Sequence, residues 1–185
     1  MPRTARNQST NPRAADKPRV GVVVSRYNAS ITDELMEGAA SAYAQRFGDT
    51  DNVIFFPAAG SFEITAIAAE LAASGRFDAI VALGCIIKGE TSHDQHLAAA
   101  VTDGLTRISI DARIPVGLGV LTVNNAKQAA ARAGGKLGNK GEEAMNAALD
   151  TFAVINAIRN GAGAAPIPAR AVPDKAAPRR KKGGR

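Results

Sequence analysis

The sequence predicts an α/β protein in which helices cover both faces of one parallel four-stranded sheet. Short apolar runs of strand length alternate along the chain with longer segments that have helical periodicity. Such alternation favours parallel strands joined by right-handed crossovers. The 185 residues suffice for one domain of ordinary size with a sizeable core.

Four strands and five helices are predicted between residues 18 and 160. Apolar runs predict strands over residues 19–25, 53–58, 78–87 and 114–121. Helical spacing predicts helices over residues 29–47, 62–74, 91–110, 124–133 and 142–159. Asn125 and Gln128 have the spacing of a capping box. Pro115 lies near the start of the fourth strand, where proline is tolerated, and a glycine-punctuated turn spans residues 134–141.

The basic character of the chain belongs to its two ends. The net charge is +6, of which residues 1–18 carry +3 and residues 161–185 carry +6, which leaves −3 for the residues between them. The predicted domain therefore gives no reason to expect nucleic-acid binding. Residues 1–17 are interpreted as a disordered extension and residues 161–185 as a flexible basic tail. That tail either only aids solubility or tethers an anionic partner.

Several protein classes are disfavoured by what the sequence lacks. No apolar run approaches the ~20 residues that span a bilayer, and no signal peptide precedes the first strand. The single cysteine, Cys85, excludes an internal disulfide and is interpreted as a small core residue. Two histidines without metal-ligand spacing give little support to a zinc site. We therefore expect a cytoplasmic protein that holds no metal and does not contact a membrane.

Polar clusters follow all four predicted strands, over residues 25–28, 58–63, 88–93 and 128–140. We expect them to converge at one edge of the sheet, because ligands of parallel α/β proteins bind beyond the carboxyl ends of the strands. The first cluster lacks the glycines of a dinucleotide-binding fingerprint, which counts against that class of domain.

The third cluster is the most informative of the four. Backbone amides after Gly89 and the Thr91 hydroxyl suit a phosphate. His93 follows at the start of a predicted helix, where the helix dipole favours the neutral imidazole, a base that works near neutral pH. Taken alone, Lys88 also fits the role of a solvated charge at a strand end, and a histidine in a first helical turn is more often structural or exposed. The adjoining phosphate cluster is what favours a catalytic role for His93. His96, one turn later, has no such context.

The other candidates are ambiguous when taken one by one. Tyr27 either stacks on a planar heterocycle or wedges between helix and sheet. Ser61 opens a helix, a position suited to polar or anionic groups, whereas Glu63 binds a ligand or only compensates the helix dipole. Arg132 and its neighbouring lysines either bind an anion or form a solvated basic face.

Taken in order, these stretches resemble the 6,7-dimethyl-8-ribityllumazine synthase family over residues 19–158. The blocks that carry the resemblance are Arg26-Tyr27-Asn28, Gly60-Ser61-Phe62-Glu63-Ile64, the run from Leu83 to Thr91 with His93, and residues 119–122, 128–134 and 139–141. The resemblance implies a flavodoxin-like α/β/α sandwich. It also implies a transferase of riboflavin biosynthesis that condenses 5-amino-6-ribitylaminouracil with 3,4-dihydroxy-2-butanone 4-phosphate and uses no cofactor.

The same resemblance implies roles for individual residues. His93 matches the general acid/base, Tyr27 the aromatic residue that stacks on the pyrimidine, and Arg132 a phosphate-binding arginine that serves a neighbouring subunit. Ser61, Phe62 and Glu63 match the residues that contact the ribityl chain, and Cys85, Ile86 and Ile87 match those that line the pyrimidine pocket. Glu90 and Thr91 match the phosphate contacts, and Lys140 matches the basic residue of the closing segment.

Some positions depart from the family pattern. Leu118 replaces an aromatic residue that packs on the ligand from the neighbouring subunit, a loss expected to weaken binding by roughly 0.5–1.5 kcal/mol. The stretch Asp94-Gln95-His96 replaces a more aromatic one, Tyr27 replaces Phe or Trp, and Ala59 and Lys88 replace Pro and Arg. Leu118 and the basic tails keep a second function open, that of a catalytically weakened flavin-binding or shell-forming homologue.

The resemblance also predicts a homo-oligomer with its sites between subunits. Members of the family form homopentamers, and in some of them twelve pentamers build an icosahedral 60-mer. The short turn from Gly134 to Gly138 has no insertion, which is compatible with the larger shell, whereas the N-terminal extension before the first strand either hinders that shell or decorates it.

Overall fold

The computed structural model describes residues 17–161. The two predicted tails, at residues 1–17 and 161–185, fall outside this range except for Lys17 and Gly161. Two compact units are distinguished, residues 1–153 and residues 154–185. The first contains the sheet and every candidate site residue, and the described part of the second is the end of the last helix.

One parallel sheet forms the centre of the first unit, and its strand order is β2-β1-β3-β4. The strands are β1 (Val20–Ser25), β2 (Val53–Ala58), β3 (Ala79–Ile87) and β4 (Val116–Val123), and all three pairings are parallel. The central β1 is buried throughout and β3 nearly so, whereas the edge strands alternate between buried and more exposed residues. The predicted four-stranded parallel sheet is confirmed.

Helices cover both faces of this sheet. The five helices are α1 (Ala29–Phe47), α2 (Ile64–Ala73), α3 (His93–Ala112), α4 (Ala126–Ala130) and α5 (Lys140–Arg159). Because side chains alternate along a strand, Val22 and Val24 pack with Leu35 of α1 and Met145 of α5, while Val23 packs with α2 and α3 on the other face. The result is the predicted three-layer, flavodoxin-like sandwich.

Element boundaries differ from prediction where local polar groups decide them. Helix α5 begins at Lys140, two residues earlier than predicted, because the Asn139 side chain accepts hydrogen bonds from the backbone N–H groups of Gly141 and Glu142 at 2.8 and 3.3 Å. Strand β4 begins after Pro115 rather than containing it, and α2 begins at Ile64, which makes Glu63 its N-cap rather than part of its first turn.

The segment around α4 also differs in detail. The Asn125 side chain accepts from the backbone N–H of Gln128 at 3.0 Å, as a capping box requires, but the Gln128 side chain accepts from Asn124 N–H at 2.9 Å instead of from Asn125 N–H. The predicted turn over residues 134–141 contains a small antiparallel pair, β5 (Ala133–Gly135) and β6 (Gly138–Asn139). Strands this short have no periodicity that a sequence could display.

Gly141 is required for the approach of α5 to α1. A Cβ atom at this position would lie 1.9 Å from the carbonyl oxygen of Leu35, a backbone atom that cannot rotate away. We expect Gly141→Ala to lower the free energy of unfolding by about 1–3 kcal/mol, even though alanine favours a helix. Urea unfolding at fixed protein concentration measures this. Gly89→Ala is the control, because a Cβ there meets nothing within 4 Å; equal losses in both variants would contradict the packing argument.

Candidate active site

A cavity of about 730 Å³ lies beyond the carboxyl ends of β1, β2 and β3. This is the point in the strand order where the chain reverses direction across the sheet, where ligands of such sheets bind. Its volume is within the range of small-molecule sites. The cavity is lined by Tyr27, Asn28, Gly60, Ser61, Phe62, Glu63, Cys85, Ile86, Ile87, Gly89, Thr91, His93, Asp94 and Leu97.

The loop after β1 is held against β3 by one side chain. Asn28 adopts left-handed backbone angles (φ 62°, ψ 45°), which asparagine tolerates better than most residues. Its Nδ2 donates a 3.0 Å hydrogen bond to the carbonyl of Cys85. The neighbouring Tyr27 is left with 71% of its surface exposed. The tyrosine ring is therefore an available wall of the cavity and does not wedge between helix and sheet.

The loop after β2 supplies a polar wall. Ser61 is buried, and its hydroxyl oxygen lies 2.9 Å from where a Cβ on Gly84 would be. Glycine in the middle of β3 thus makes room for this hydroxyl. Phe62 and Glu63 follow and are exposed on the cavity side.

The loop after β3 leads directly into α3. The Thr91 hydroxyl accepts a 3.3 Å hydrogen bond from the backbone N–H of His93, the first residue of the helix. His93 itself is exposed and lines the cavity. The start of this 20-residue helix is suited to an anion, because the positive end of its dipole lies there.

Comparison with known proteins decides the family. Residues 17–156 match the family model described as 6,7-dimethyl-8-ribityllumazine synthase. The chain is also 42% identical over 136 residues to a 6,7-dimethyl-8-ribityllumazine synthase of Prosthecochloris aestuarii. The aligned region covers 74% of this chain and 88% of that protein. The chain belongs to the 6,7-dimethyl-8-ribityllumazine synthase family. Membership makes it an enzyme, a transferase of riboflavin biosynthesis.

Most residues that the family pattern nominates meet in this one cavity. Nine of them line it, from three separate stretches of chain: Tyr27, Ser61, Phe62, Glu63, Cys85, Ile86, Ile87, Thr91 and His93. Glu90, Leu118, Arg132 and Lys140 do not line it. Arg132 instead lines a second cavity of about 620 Å³, with Lys127 and Lys136.

Asp94 and Leu97 line the cavity although they lie outside the predicted polar clusters, whereas Asn28, Gly60 and Gly89 lie within those clusters but were not named as binding residues. Asn28 gave a usable signal, since asparagine directly after a strand and before a helix is suited to a left-handed turn. Asp94 gave none, because an acidic residue in a first helical turn is common for electrostatic reasons alone.

Leu118, Arg132 and Lys140, which do not line the cavity, differ in their local surroundings. Leu118 lies on the edge strand β4 with half of its surface exposed. Arg132 follows α4 and donates from Nη1 to the carbonyl of Gln128 at 3.1 Å, which directs the guanidinium back along the short helix. Lys140 pairs with Glu143 at 2.5 Å in the first turn of α5.

Neither a membrane-spanning helix nor a cluster of metal-ligating side chains occurs within residues 17–161. The helices of this range are too short or too polar to cross a membrane. Its histidine, cysteine and acidic side chains do not come together in groups of three or more that could hold a metal ion.

Cys85 lines the cavity from the end of β3, yet its thiol is nearly inaccessible. Burial raises the pKa of the Cys85 thiol to about 11, because the charged thiolate loses its hydration. The thiol therefore contributes shape and apolar surface at neutral pH. It is not a nucleophile there, since the thiolate is the reactive form.

This pKa predicts slow alkylation of the folded protein. At pH 8 only about one thiol in a thousand is ionised when the pKa is about 11, so we expect iodoacetamide to react at least ~100-fold more slowly than with the urea-unfolded chain. The rate should rise about tenfold per pH unit towards pH 11. Cys85 is the only cysteine, so labelling followed by mass spectrometry reports on it alone. Equal rates in both states would contradict the burial argument.

The raised pKa of the Cys85 thiol also determines the direction in which the stability of the fold changes with pH. The folded chain holds this proton more tightly than the unfolded chain. The stabilisation that the protonated Cys85 thiol contributes is therefore complete below pH 9 and is lost as pH rises through about 11.

Proposed function

We propose that this enzyme joins 5-amino-6-ribitylaminouracil to 3,4-dihydroxy-2-butanone 4-phosphate in the cavity beyond β1, β2 and β3, with His93 as the proton shuttle. The observation that carries the proposal is that nine residues nominated by the family pattern line one cavity, although they come from three separate stretches of chain. No observation favours the alternative of a flavin-binding or shell-forming homologue.

The pyrimidine is proposed to lie between the exposed ring of Tyr27 and the apolar wall of Ile86 and Ile87. An aromatic ring and an aliphatic surface bind a flat heterocycle through dispersion and burial. The polar chain of the substrate then extends towards Ser61 and Glu63, which offer hydroxyl and carboxylate groups to its hydroxyls. The Asn28–Cys85 hydrogen bond supports this arrangement, because it keeps the Tyr27 loop next to β3.

The phosphate is proposed to bind at the start of α3. Backbone N–H groups after Gly89, the Thr91 hydroxyl and the positive end of the helix dipole all favour an anion. Glu90 carries a negative charge and is exposed, so its contribution to phosphate binding would come from its backbone N–H rather than its side chain.

The proposed chemistry needs a group that moves protons in both directions. The 5-amino group attacks the ketone, and both of its protons leave with the ketone oxygen as water, giving an imine. Phosphate elimination and ring closure, with loss of further water, complete 6,7-dimethyl-8-ribityllumazine. A neutral imidazole accepts the proton from one step and returns it to a leaving oxygen in another. His93 is exposed on the cavity wall at the proposed phosphate position, where both kinds of step occur.

A second copy of the chain is proposed to complete the site. Leu118 and Arg132 match family positions that contact the ligand of a neighbouring subunit, and neither lines the cavity of its own chain. Leu118 is a large apolar side chain exposed on a sheet edge, a surface that oligomerisation would cover. The proposed assembly is a homopentamer, or twelve of them in a 60-subunit icosahedral shell.

The cytoplasm is proposed as the compartment, as expected for riboflavin biosynthesis. An anionic partner for the basic segment 161–185 stays a prediction, because that segment lies almost wholly outside the described residues.

The His93 role predicts a large and selective loss of turnover. Wild type mixed with both substrates should form the lumazine, followed by its absorbance, and His93→Ala should lower turnover by about 10²–10⁴-fold. Orientation of the substrates would leave some residual rate. His96→Ala is the matched control, because His96 is exposed one turn later and does not line the cavity. Turnover in His93→Ala close to that of wild type would remove the role, whereas the family membership would stand.

A site shared between subunits predicts complementation. Arg132→Ala alone should be nearly inactive, and so should His93→Ala. Refolding the two variants together in equal amounts would restore wild-type residues to about one site in four, with a matching share of the wild-type rate. Activity no greater than the sum of the separate variants would show that both residues serve the same chain.

The assembly itself is measurable by light scattering after gel filtration. Chains of 19.1 kDa predict about 95 kDa for the pentamer and about 1.1 MDa for the shell. A monomer that nevertheless catalyses the reaction would overturn the proposal of a shared site.

A further inference from the structure

The side chain of Asp94 is buried with one of its two carboxylate oxygens unpartnered. Only 8% of its surface is exposed, and its Oδ1 atom has no hydrogen-bond partner. Within residues 17–161, no salt bridge involves Asp94. A buried carboxylate oxygen left in this state costs about 1–3 kcal/mol or more, so a native chain retains one for a reason.

Asp94 lies on the face of α3 that packs against the core. Asp94, Leu97, Val101 and Leu105 follow one another at helical spacing, and the last three pack into the apolar core beside α2. Asp94 thus occupies the first position of an apolar stripe, where leucine or phenylalanine would complete the packing. It does not cap its helix, since its neighbour Ser92 is the N-cap residue.

Asp94 is one of the residues that line the substrate cavity. His93, the preceding residue, lies about 100° away around the helix axis and is exposed, so the two side chains diverge and Asp94 is not placed to orient the imidazole. The lining of the same cavity includes Ser61 and Glu63. Oδ1 itself is covered, with almost no accessible surface, so a ligand in this cavity supplies the missing donor only when the Asp94 side chain turns towards it.

We propose that Asp94 is a substrate-binding residue that accepts a hydrogen bond from a hydroxyl of the ribityl chain. This inference rests on the proposed binding of the ribityl substrate in this cavity. A phosphate is disfavoured as the partner of Oδ1, because both groups are negatively charged. A polyol is favoured, because its hydroxyls are neutral donors, and Ser61 and Glu63 in the same lining offer it further partners. Asp94 would then contribute to the selection of a hydroxylated side chain over an apolar one.

The test is calorimetric binding of 5-amino-6-ribitylaminouracil alone, so that no turnover intervenes. Asp94→Leu removes the acceptor and completes the apolar stripe, and should weaken binding by about 10–100-fold. Asp94→Asn retains an accepting oxygen without the charge and should lose less. Asp103→Asn is the control, because Asp103 lies exposed on the same helix and pairs with Arg107; it should bind as wild type does.

A second ligand identifies the donor. An analogue in which a pentyl chain replaces the ribityl chain should bind wild type and Asp94→Leu within about threefold of each other, because it has no chain hydroxyl to lose. If Asp94→Leu weakens both ligands equally, the donor is elsewhere on the substrate and the proposal is wrong. If Asp94→Leu binds the ribityl substrate as tightly as wild type does, the proposal is equally wrong.

Stability separates this role from a structural one. Asp94→Leu should raise the urea midpoint of the free protein while it weakens binding, since it removes an unsatisfied buried carboxylate. A lowered midpoint together with a change in assembly mass would mean that a second subunit supplies the partner of Oδ1, which would overturn the proposal. Failure of folded wild type to bind the substrate would overturn the proposed function as well. Where wild type binds the substrate and turns it over, a negative result with Asp94→Leu overturns only the role of Asp94.

Discussion

The pairing of β1 with β3 at the centre of the sheet is the constraint on which the rest of the structure depends. Both strands are buried almost throughout, so the side chains of β1 contribute to the apolar cores on the two faces. The same pairing aligns Val24 with Leu83 and brings the loop after β1 to the last residues of β3. The hydrogen bond from Asn28 to the Cys85 carbonyl extends that alignment beyond the strand. A cavity between these loops follows from the register.

Close approach of backbones is the second condition, and it depends on residues without a side chain. Gly141 lets α5 lie against the Leu35 backbone, and Gly84 leaves space for the buried Ser61 hydroxyl. The first position serves only packing, whereas the second links packing to the polar wall of the site. The cavity therefore has a shape defined by the core, not by loops alone, and such support keeps binding groups in fixed positions.

Buried polar groups show how stability and function are divided in this molecule. Thr32 is wholly buried, and its hydroxyl donates to the Ser25 carbonyl at 2.7 Å, which ties α1 to the end of β1. Asp94 is buried to a similar degree and leaves one oxygen without a partner. The first arrangement stabilises the free protein, and the second lowers its stability. A carboxylate buried beside a ligand cavity at such a cost is better explained by binding than by folding.

The sequence by itself determined the four strands of the parallel sheet, the five helices, the family and most of the residues lining the cavity. Apolar runs and helical spacing are local patterns, and the strand ends of an α/β fold concentrate polar residues such as Tyr27, Ser61 and His93 in predictable places. Tertiary structure alone decided that Asn28 bridges to β3, that Gly84 accommodates Ser61, and that Asp94 is buried and unpartnered. These outcomes depend on distances between segments far apart in the chain, and no pattern of neighbouring residues records such distances.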